Sequence, residues 1–406
     1  MIGTTEQPQA FSHDSHHEIF EGLPALPIMR TISTPTGFSL SIVSAPKRLD
    51  WFLSRRYPEF LGVFRELAIK HRGLSGNASP FVTEGEEADR TLLSEAEVAH
   101  RQYVVGLPPS LGRTYGHFTH ANESSDRGSI WLSRTRTPRS EPVITMLRFP
   151  DHSDLWSFYE DGGTDPQVEQ NLARQLVART LAMKRPIPNT EAERFCGAPG
   201  VLSLIVDDRM RAMEGDEEFG DAARSINASL TKALLEPQMT ELLQEEIDGG
   251  FVGEQHGDVR FDNIRVVEKN DGRKEAFILD PVRLSKRVDG GGHRRMEEWW
   301  MTPDVLQIGM LAGKALSEPH TQGFFKSTVD AYQRTRPDFL SDTVRQKLFG
   351  MAIVYGLSIE SHVLRASEGR FGVDSSQVRE RMRPLWGTMD DLRGSNFLFW
   401  MEAYHA

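Results

Sequence analysis

Residues 256–280, HGDVRFDNIRVVEKNDGRKEAFILD, determine how the rest of the chain is interpreted. Two apolar segments, 264–267 and 276–279, flank the turn sequence Asn270-Asp271-Gly272. An Asp-Gly pair supplies the positive backbone dihedrals of a tight turn, so the pattern predicts a β-hairpin.

Polar residues stand at both ends of this predicted hairpin. Asp258 and Asn263 precede the first strand, Asp280 follows the second, and Arg260 lies nearby in the sequence. A hairpin returns its last residue close to its first, so two carboxylates and an amide are expected to converge. Phosphoryl transfer needs oxygen ligands for Mg²⁺ and a carboxylate that orients the attacking hydroxyl. The alternative is that this segment is an ordinary loop and that Asp280 caps the element that follows it.

HGDVRFDNI followed by FILDP resembles the aminoglycoside phosphotransferase and choline kinase branch of the protein-kinase-like fold. Within that branch it is most similar to the aminoglycoside phosphotransferase-like kinases found fused to ATP-binding domains. The resemblance implies that Asp258 is the catalytic base and that Asn263 and Asp280 are the magnesium ligands. It also implies that His256 braces the loop. Arg260 departs from the His or Leu that is common at its position.

The same resemblance implies a two-lobed α+β fold, with a small sheet-containing N-lobe and a larger, mostly helical C-lobe. We expect a flexible leader at residues 1–25 and a nucleotide-binding lobe at 26–148. A helical lobe at 149–406 would carry the catalytic loop, at 254–281.

In the resembled fold, a strand lysine holds the α- and β-phosphates of ATP. Lys70, at the end of a strand predicted for residues 64–70, is the candidate. A helix predicted within residues 84–105 would supply its acidic partner. Glu97 is the first choice and Glu95, on a different face of that helix, is the competing one.

Two further N-lobe segments would surround the nucleotide. A hairpin predicted for residues 28–45 would cover the phosphates, although it lacks a G-x-G-x-x-G sequence. A buried strand predicted for residues 142–150 would end where the lobes join. There the adenine would hydrogen-bond to main chain near Met146 to Arg148.

Helices are expected after this junction. One is predicted for residues 167–184 and ends at Met183-Lys184, where the resembled family usually has a His. Two or three more are predicted for residues 200–248, and further helices for 321–336, 341–369 and 376–403.

Two features follow the metal-binding candidate Asp280. Residues 286–295 hold several basic side chains and a run of glycines, consistent with a positive loop near an anion or with a solvated loop. Thr302 is a plausible N-cap with Pro303 at the first helical position. The resemblance implies that Asp304 braces the catalytic loop from below, which is a structural role.

Composition restricts the classes of partner. The 406 residues carry a formal net charge of -11, which argues against nucleic acid or an anionic membrane as the main partner. No apolar run is long enough to span a membrane, and the N-terminus lacks the pattern of a signal peptide. The single cysteine, Cys196, fits a reducing cytoplasm and excludes a disulfide framework. Oligomeric state leaves no signal in the sequence.

These observations predict an ATP- and Mg²⁺-dependent kinase that phosphorylates a hydroxyl of a small molecule of the aminoglycoside, sugar or amino-alcohol type. Three alternatives remain open. One is a catalytically silent kinase-like module that binds a nucleotide or a partner. Another is a kinase-fold enzyme that phosphorylates protein or transfers a nucleotidyl group. The third is a metal hydrolase, which lacks the second ligand cluster that a dinuclear site needs.

Overall fold

The computed structural model describes residues 24–33, 38–56, 58–60, 62–72, 92, 110–119, 128–133, 136–150, 153–160, 165–206, 208–279, 286–287, 294–295, 301–366, 368 and 374–393. The chain divides into two compact units. The first comprises Met1–Ser153 and Arg265–Glu297, and the second comprises Asp154–Ile264 and Glu298–Ala406. Most of the described strands belong to the first unit and most of the described helices to the second, in agreement with the α+β class.

An antiparallel sheet of six strands dominates the first unit. The strand order is β1-β2-β3-β6-β4-β5, and Leu26 in β1 pairs with Ile130 in β5 to close the sheet into a barrel. The strands are β1 (Leu26–Ser33), β2 (Phe38–Ser44), β3 (Glu66–Arg72), β4 (Ser110–Thr119), β5 (Ser129–Ser133) and β6 (Glu141–Leu147). The hairpin predicted for residues 28–45 is confirmed by the β1–β2 pairing, and β4 and β5 pair as a second hairpin.

Side chains fill the inside of this barrel. Val43, Leu67, Ile130 and Val143 are buried there, as expected where alternate residues of each strand point inward. Gly116 in β4 has no room for a larger side chain, because an added methyl group would lie 2.8 Å from Ile130 Cδ1. The small residue therefore lets β4 lie close to its neighbours.

A second part of the same core is aromatic. Helix α1 (Lys47–Arg56) and the short 3-10 turn Pro58–Phe60 follow β2. The Phe277 ring centroid lies 5.4 Å from that of Phe60 and 5.3 Å from that of Phe149. Residues distant in sequence therefore share one apolar cluster.

The hairpin predicted for residues 264–279 is confirmed. Strands β8 (Ile264–Glu268) and β9 (Lys274–Ile278) pair in a two-stranded sheet. The Lys269 N–H donates to the Arg273 carbonyl at 2.8 Å, and Gly272 adopts φ +80°. The positive φ explains why glycine stands at this position of the turn.

Helices form most of the second unit. They are α2 (Leu155–Glu160), α3 (Pro166–Ala182), α4 (Asn189–Cys196), α5 (Ala198–Ile205), α6 (Asp208–Met213), α7 (Gly220–Leu234), α8 (Pro237–Asp248), α9 (Asp304–Leu316), α10 (Gln322–Thr335), α11 (Thr343–Ala366) and α12 (Ser375–Arg393). Two short strands, β7 (Val252–Glu254) and β10 (Met301–Pro303), pair with each other ahead of α9. The helices predicted for residues 167–184, 321–336, 341–369 and 376–403 are confirmed over the residues that the structure describes.

Helices α9 and α11 are in direct backbone contact. Every residue of α9 is buried. A methyl group on Gly356 of α11 would lie 2.6 Å from Met310 Cα, and one on Gly309 of α9 would lie 2.5 Å from the Ala352 carbonyl carbon. Glycines on both helices therefore allow an approach that larger side chains would prevent.

Several predicted boundaries were wrong. The strand predicted for residues 64–70 is shifted to Glu66–Arg72, and four helices rather than two or three occupy residues 198–248. Thr302 is not an N-cap, because it belongs to β10 and the helix begins at Asp304. The helix predicted within residues 84–105 lies outside the described residues except for Leu92. No helix among the described residues is long and apolar enough to cross a membrane.

Candidate active site

Residues 256–263 form the first part of the predicted catalytic loop, follow β7 and lie in the second unit. Gly257 adopts φ +81°, and its N–H donates to the side-chain carbonyl of Gln307 on α9 at 3.1 Å. Downstream, Phe261–Asn263 forms a 3-10 turn in which the Asn263 N–H donates to the Arg260 carbonyl at 2.9 Å. These bonds hold the loop against α9 and fix the direction in which its polar side chains leave the backbone.

Asp258 and Asn263 form a direct side-chain pair. The Asn263 Nδ2 donates to Asp258 Oδ2 at 2.7 Å and to the Asp258 carbonyl at 3.1 Å. A carboxylate only accepts hydrogen bonds, so the nitrogen of the amide must face Asp258. The amide oxygen of Asn263 is then the atom that could ligate a metal ion.

Arg260 contacts the same carboxylate from another side. Its Nε donates to Asp258 Oδ1, and its Nη2 donates to Oδ2 at 3.3 Å. Nη1 reaches Asp262 at 3.3 Å and Glu360 on α11 at 3.2 Å. The planar guanidinium therefore holds both oxygens of Asp258 while its outer edge contacts two further carboxylates.

Burial and charge compete at Arg260. Burial disfavours the charged guanidinium, but the carboxylates of Asp258 and Glu360 outweigh it, and the pKa of Arg260 is raised well above its ordinary value. Glu360 is fully buried, and burial together with the charge of Asp262 raises its pKa despite the opposing effect of Arg260. The loop is thus built around one buried cation and several carboxylates.

His256 lies at the base of the loop. Its side chain is fully buried, and the Asp258 N–H points to its Nδ1 at 3.3 Å. This placement fits the structural role expected of His256, since the ring supports the backbone of Asp258.

A buried polar network lies under the loop. Asp304 accepts hydrogen bonds from Gln255 Nε2 at 2.8 Å and from Lys184 Nζ at 2.8 Å. Gln255 directly precedes the loop, so Asp304 links it to the start of α9 and to the end of α3. Burial raises the pKa of Asp304 from its ordinary 3.8 to about 6, although Lys184 opposes this effect.

The N-lobe candidates lie in the first unit. Lys70 is buried in β3, with its Nζ 5.2 Å from the centre of the Phe38 ring. Met146 faces Ala68 in the register of β3 and β6. The Arg148 N–H donates to the Glu66 carbonyl at 3.0 Å, so an adenine contact by Arg148 would use its carbonyl oxygen.

Asp280 and Glu97 lie outside the described residues, as does Glu95. Their convergence with the loop and with Lys70 stays a prediction. Among the residues that the structure does describe, no group of three or more His, Cys, Asp or Glu side chains could hold a metal ion. The proposed magnesium ligands are only two residues, Asn263 and Asp280, so they do not form a group of this kind.

The sequence interpretation missed Gln307 and Glu360, and it assigned no partner to Arg260. A signal existed for each of the two missed residues. Gln307 stands one turn after Asp304 in a helix that is otherwise almost wholly apolar, and Glu360 interrupts a similar apolar run in α11. A polar residue on the buried face of a helix normally has a polar partner, which here is the catalytic loop.

Comparison with known proteins returns similar solved structures only. No family model and no curated protein matches the chain. A microcompartment-associated aminopropanol kinase is 10% identical with a TM-score of 0.40, over 95% of this chain and 95% of that one. An amicoumacin kinase in complex with AMP-PNP and Ca²⁺ is 10% identical with a TM-score of 0.41, over 89% and 87%. A spectinomycin phosphotransferase in complex with ADP is 10% identical with a TM-score of 0.39, over 91% and 92%.

All three structures are named as a kinase or a phosphotransferase. The identities and TM-scores are too low to carry an activity or a residue role over to this chain.

Proposed function

We propose that the protein is an ATP- and Mg²⁺-dependent phosphotransferase that moves the γ-phosphoryl group to a hydroxyl of a small molecule. The observation that carries this proposal is the Asp258–Asn263 pair. One loop presents a carboxylate held by three side-chain donors and, five residues later, an amide whose oxygen is left for a metal ion. Phosphoryl transfer depends mainly on positioning and charge stabilisation, and a preorganised carboxylate–amide pair supplies the first of these.

Each candidate residue has one role in this proposal. Asp258 orients the acceptor hydroxyl and accepts its proton. Asn263 and Asp280 would hold Mg²⁺, which neutralises charge on the phosphates when it is bound.

The nucleotide-binding lobe is proposed to span residues 26–148. Within it, Lys70 contacts the α- and β-phosphates and Glu97 orients Lys70. Main chain near Met146 and Arg148 contacts the adenine. The helical lobe is proposed to span residues 149–406, and acceptors of the aminoglycoside, sugar and amino-alcohol type fit the proposed reaction.

Calorimetry with a non-hydrolysable ATP analogue tests the proposal. We expect the wild type to bind the analogue more tightly with Mg²⁺ than without it. Asp280→Ala should abolish the Mg²⁺ dependence because a metal ligand is lost. Asp271→Ala is the matched control, since Asp271 lies in the turn of the same hairpin and pairs with Arg273. That variant should bind as the wild type does.

Turnover is then measured with a panel of hydroxyl-bearing small molecules. Asp258→Asn should bind the analogue normally but lose activity by about 10²–10⁴-fold, the range that general-base removal typically costs. Wild-type protein that binds no nucleotide would refute the proposal. Binding without turnover on any acceptor would instead support the silent-module alternative.

A further inference from the structure

Glu360 is a buried carboxylate on a helix that is distant in sequence from the catalytic loop. It lies on α11, is only 4% exposed, and its Oε2 accepts a hydrogen bond from Arg260 Nη1 at 3.2 Å. Burying a carboxylate is costly unless it is paired. The charges that act on Glu360 are those of Arg260 and Lys314, which favour its ionised form, and that of Asp262, which opposes it.

The helix that carries Glu360 is held firmly in place. Gly356 lies one turn before Glu360 on the same face of α11 and contacts the backbone of α9 at Met310. On the same α9, the Gln307 side-chain carbonyl accepts a hydrogen bond from the Gly257 N–H of the loop. The closely packed helices α9 and α11 therefore hold both the loop backbone and Glu360.

We infer that Glu360 is a positioning residue for Asp258 and acts through Arg260. This inference rests on the proposed function of Asp258. Glu360 holds one end of the guanidinium, and this orients the plane whose Nε and Nη2 contact the two oxygens of Asp258. The contact of Arg260 with Asp262 cannot replace this role, because the Asp262 side chain is 46% exposed and an exposed ion pair holds a side chain weakly.

Replacement of Glu360 tests the inference, with ATP as the probe and water as the acceptor. Glu360→Met removes the charge and the acceptor at similar side-chain length. It should lower kcat for Mg²⁺-dependent ATP hydrolysis by at least about tenfold, because small displacements of a reacting group are costly. The KM for ATP should change by less than about twofold, since Glu360 is inferred to act on Asp258 and not on the nucleotide. Glu360→Gln keeps an acceptor for Arg260 and should restore most of the lost kcat.

The Glu246–Arg336 ion pair provides the matched control. It is similarly buried in the second unit, and Arg336 Nη2 donates to Glu246 Oε1 at 2.6 Å. Among the described residues, no side-chain hydrogen bond joins Glu246 or Arg336 to residues 256–263. Glu246→Met should lower thermal stability to an extent comparable with Glu360→Met but leave kcat within about twofold of wild type. Equal losses of kcat in both variants, or an unchanged kcat in Glu360→Met, would overturn the inference.

Crystal structures of the wild type and of Glu360→Met separate this inference from the proposed function. The variant should lose at least one of the two contacts between the Arg260 guanidinium and the Asp258 carboxylate. Retention of both contacts would overturn the inference whatever the activity. A wild type that neither binds nor hydrolyses ATP would refute the proposed function alone.

Discussion

Asp304 illustrates how one residue can support a site without contacting any reactant. Its carboxylate accepts from Gln255, the residue before His256, and from Lys184 at the end of α3. An ammonium group donates to a carboxylate, so Lys184 ties Asp304 to the end of α3.

The raised pKa of Asp304 leads to a prediction on the stability of the protein. Burial raises this pKa from 3.8 to about 6, so the folded protein binds the proton more tightly than the unfolded chain does. The contribution of Asp304 to the free energy of unfolding should therefore increase as the pH falls from about 6 to about 4. Relative to Asp304→Asn, the wild type should gain about 2 kcal/mol between pH 7 and pH 4.5 in urea titrations.

Asp271→Asn is the control for this measurement. Hydrogen bonds from Arg273 lower the pKa of Asp271, so the corresponding difference should have the opposite sign. A wild-type advantage over Asp304→Asn that does not depend on pH would contradict the prediction.

At the scale of elements, the site depends on the close contact between α9 and α11. This contact is called the seam below. Gly356 and Gly309 bring the two backbones into contact, and α9 provides both Asp304 and Gln307. Helical propensity and apolar burial favour helices in these segments, whereas the glycines explain how closely the two helices approach.

A methyl group in this seam should destabilise the protein. Gly356→Ala places a Cβ 2.6 Å from Met310 Cα, a backbone atom that can move only together with its helix. We expect a loss of about 1–3 kcal/mol in the free energy of unfolding, measured by urea titration.

Gly387→Ala gives the matched comparison within α12. Gly387 is an exposed helical glycine, and an added methyl group would meet no atom within 4 Å. Alanine loses less conformational entropy in a helix, so this variant should gain about 0.5–1 kcal/mol. A stabilised Gly356→Ala would show that the seam is looser than the structure indicates.

At the scale of the whole molecule, the single cysteine offers a probe of the second unit. Cys196 ends α4, is fully buried, and burial raises its pKa to about 12. The thiolate is the reactive form, so both access and ionisation are suppressed in the folded protein.

A thiol reagent should therefore report when the second unit opens. With Ellman's reagent at pH 8, we expect negligible reaction of the native protein over the time in which a small free thiol reacts completely. In denaturing urea one equivalent should react, because the chain has one cysteine. Rapid labelling of the native protein would show that α4 opens locally.

The hairpins and the helical second half were predictable because their signals are local. Apolar alternation, an Asp-Gly turn and helical periodicity act within a few residues, so residues 264–279 form the predicted β-hairpin. Spacing within one loop likewise predicted that Asp258 and Asn263 would meet, and the 3-10 turn at Phe261–Asn263 brings them together.

The partners of the loop were decided only by tertiary structure. Glu360 lies 100 residues beyond Arg260, and Gln307 lies 50 beyond Gly257. Each meets the loop because α9 and α11 pack closely against each other. The glycines at their contact allow this short distance between the two backbones. No local propensity encodes such a distance, since it depends on how two buried surfaces fit together. The sequence by itself thus determined which groups could perform the chemistry, and packing determined what holds them in position.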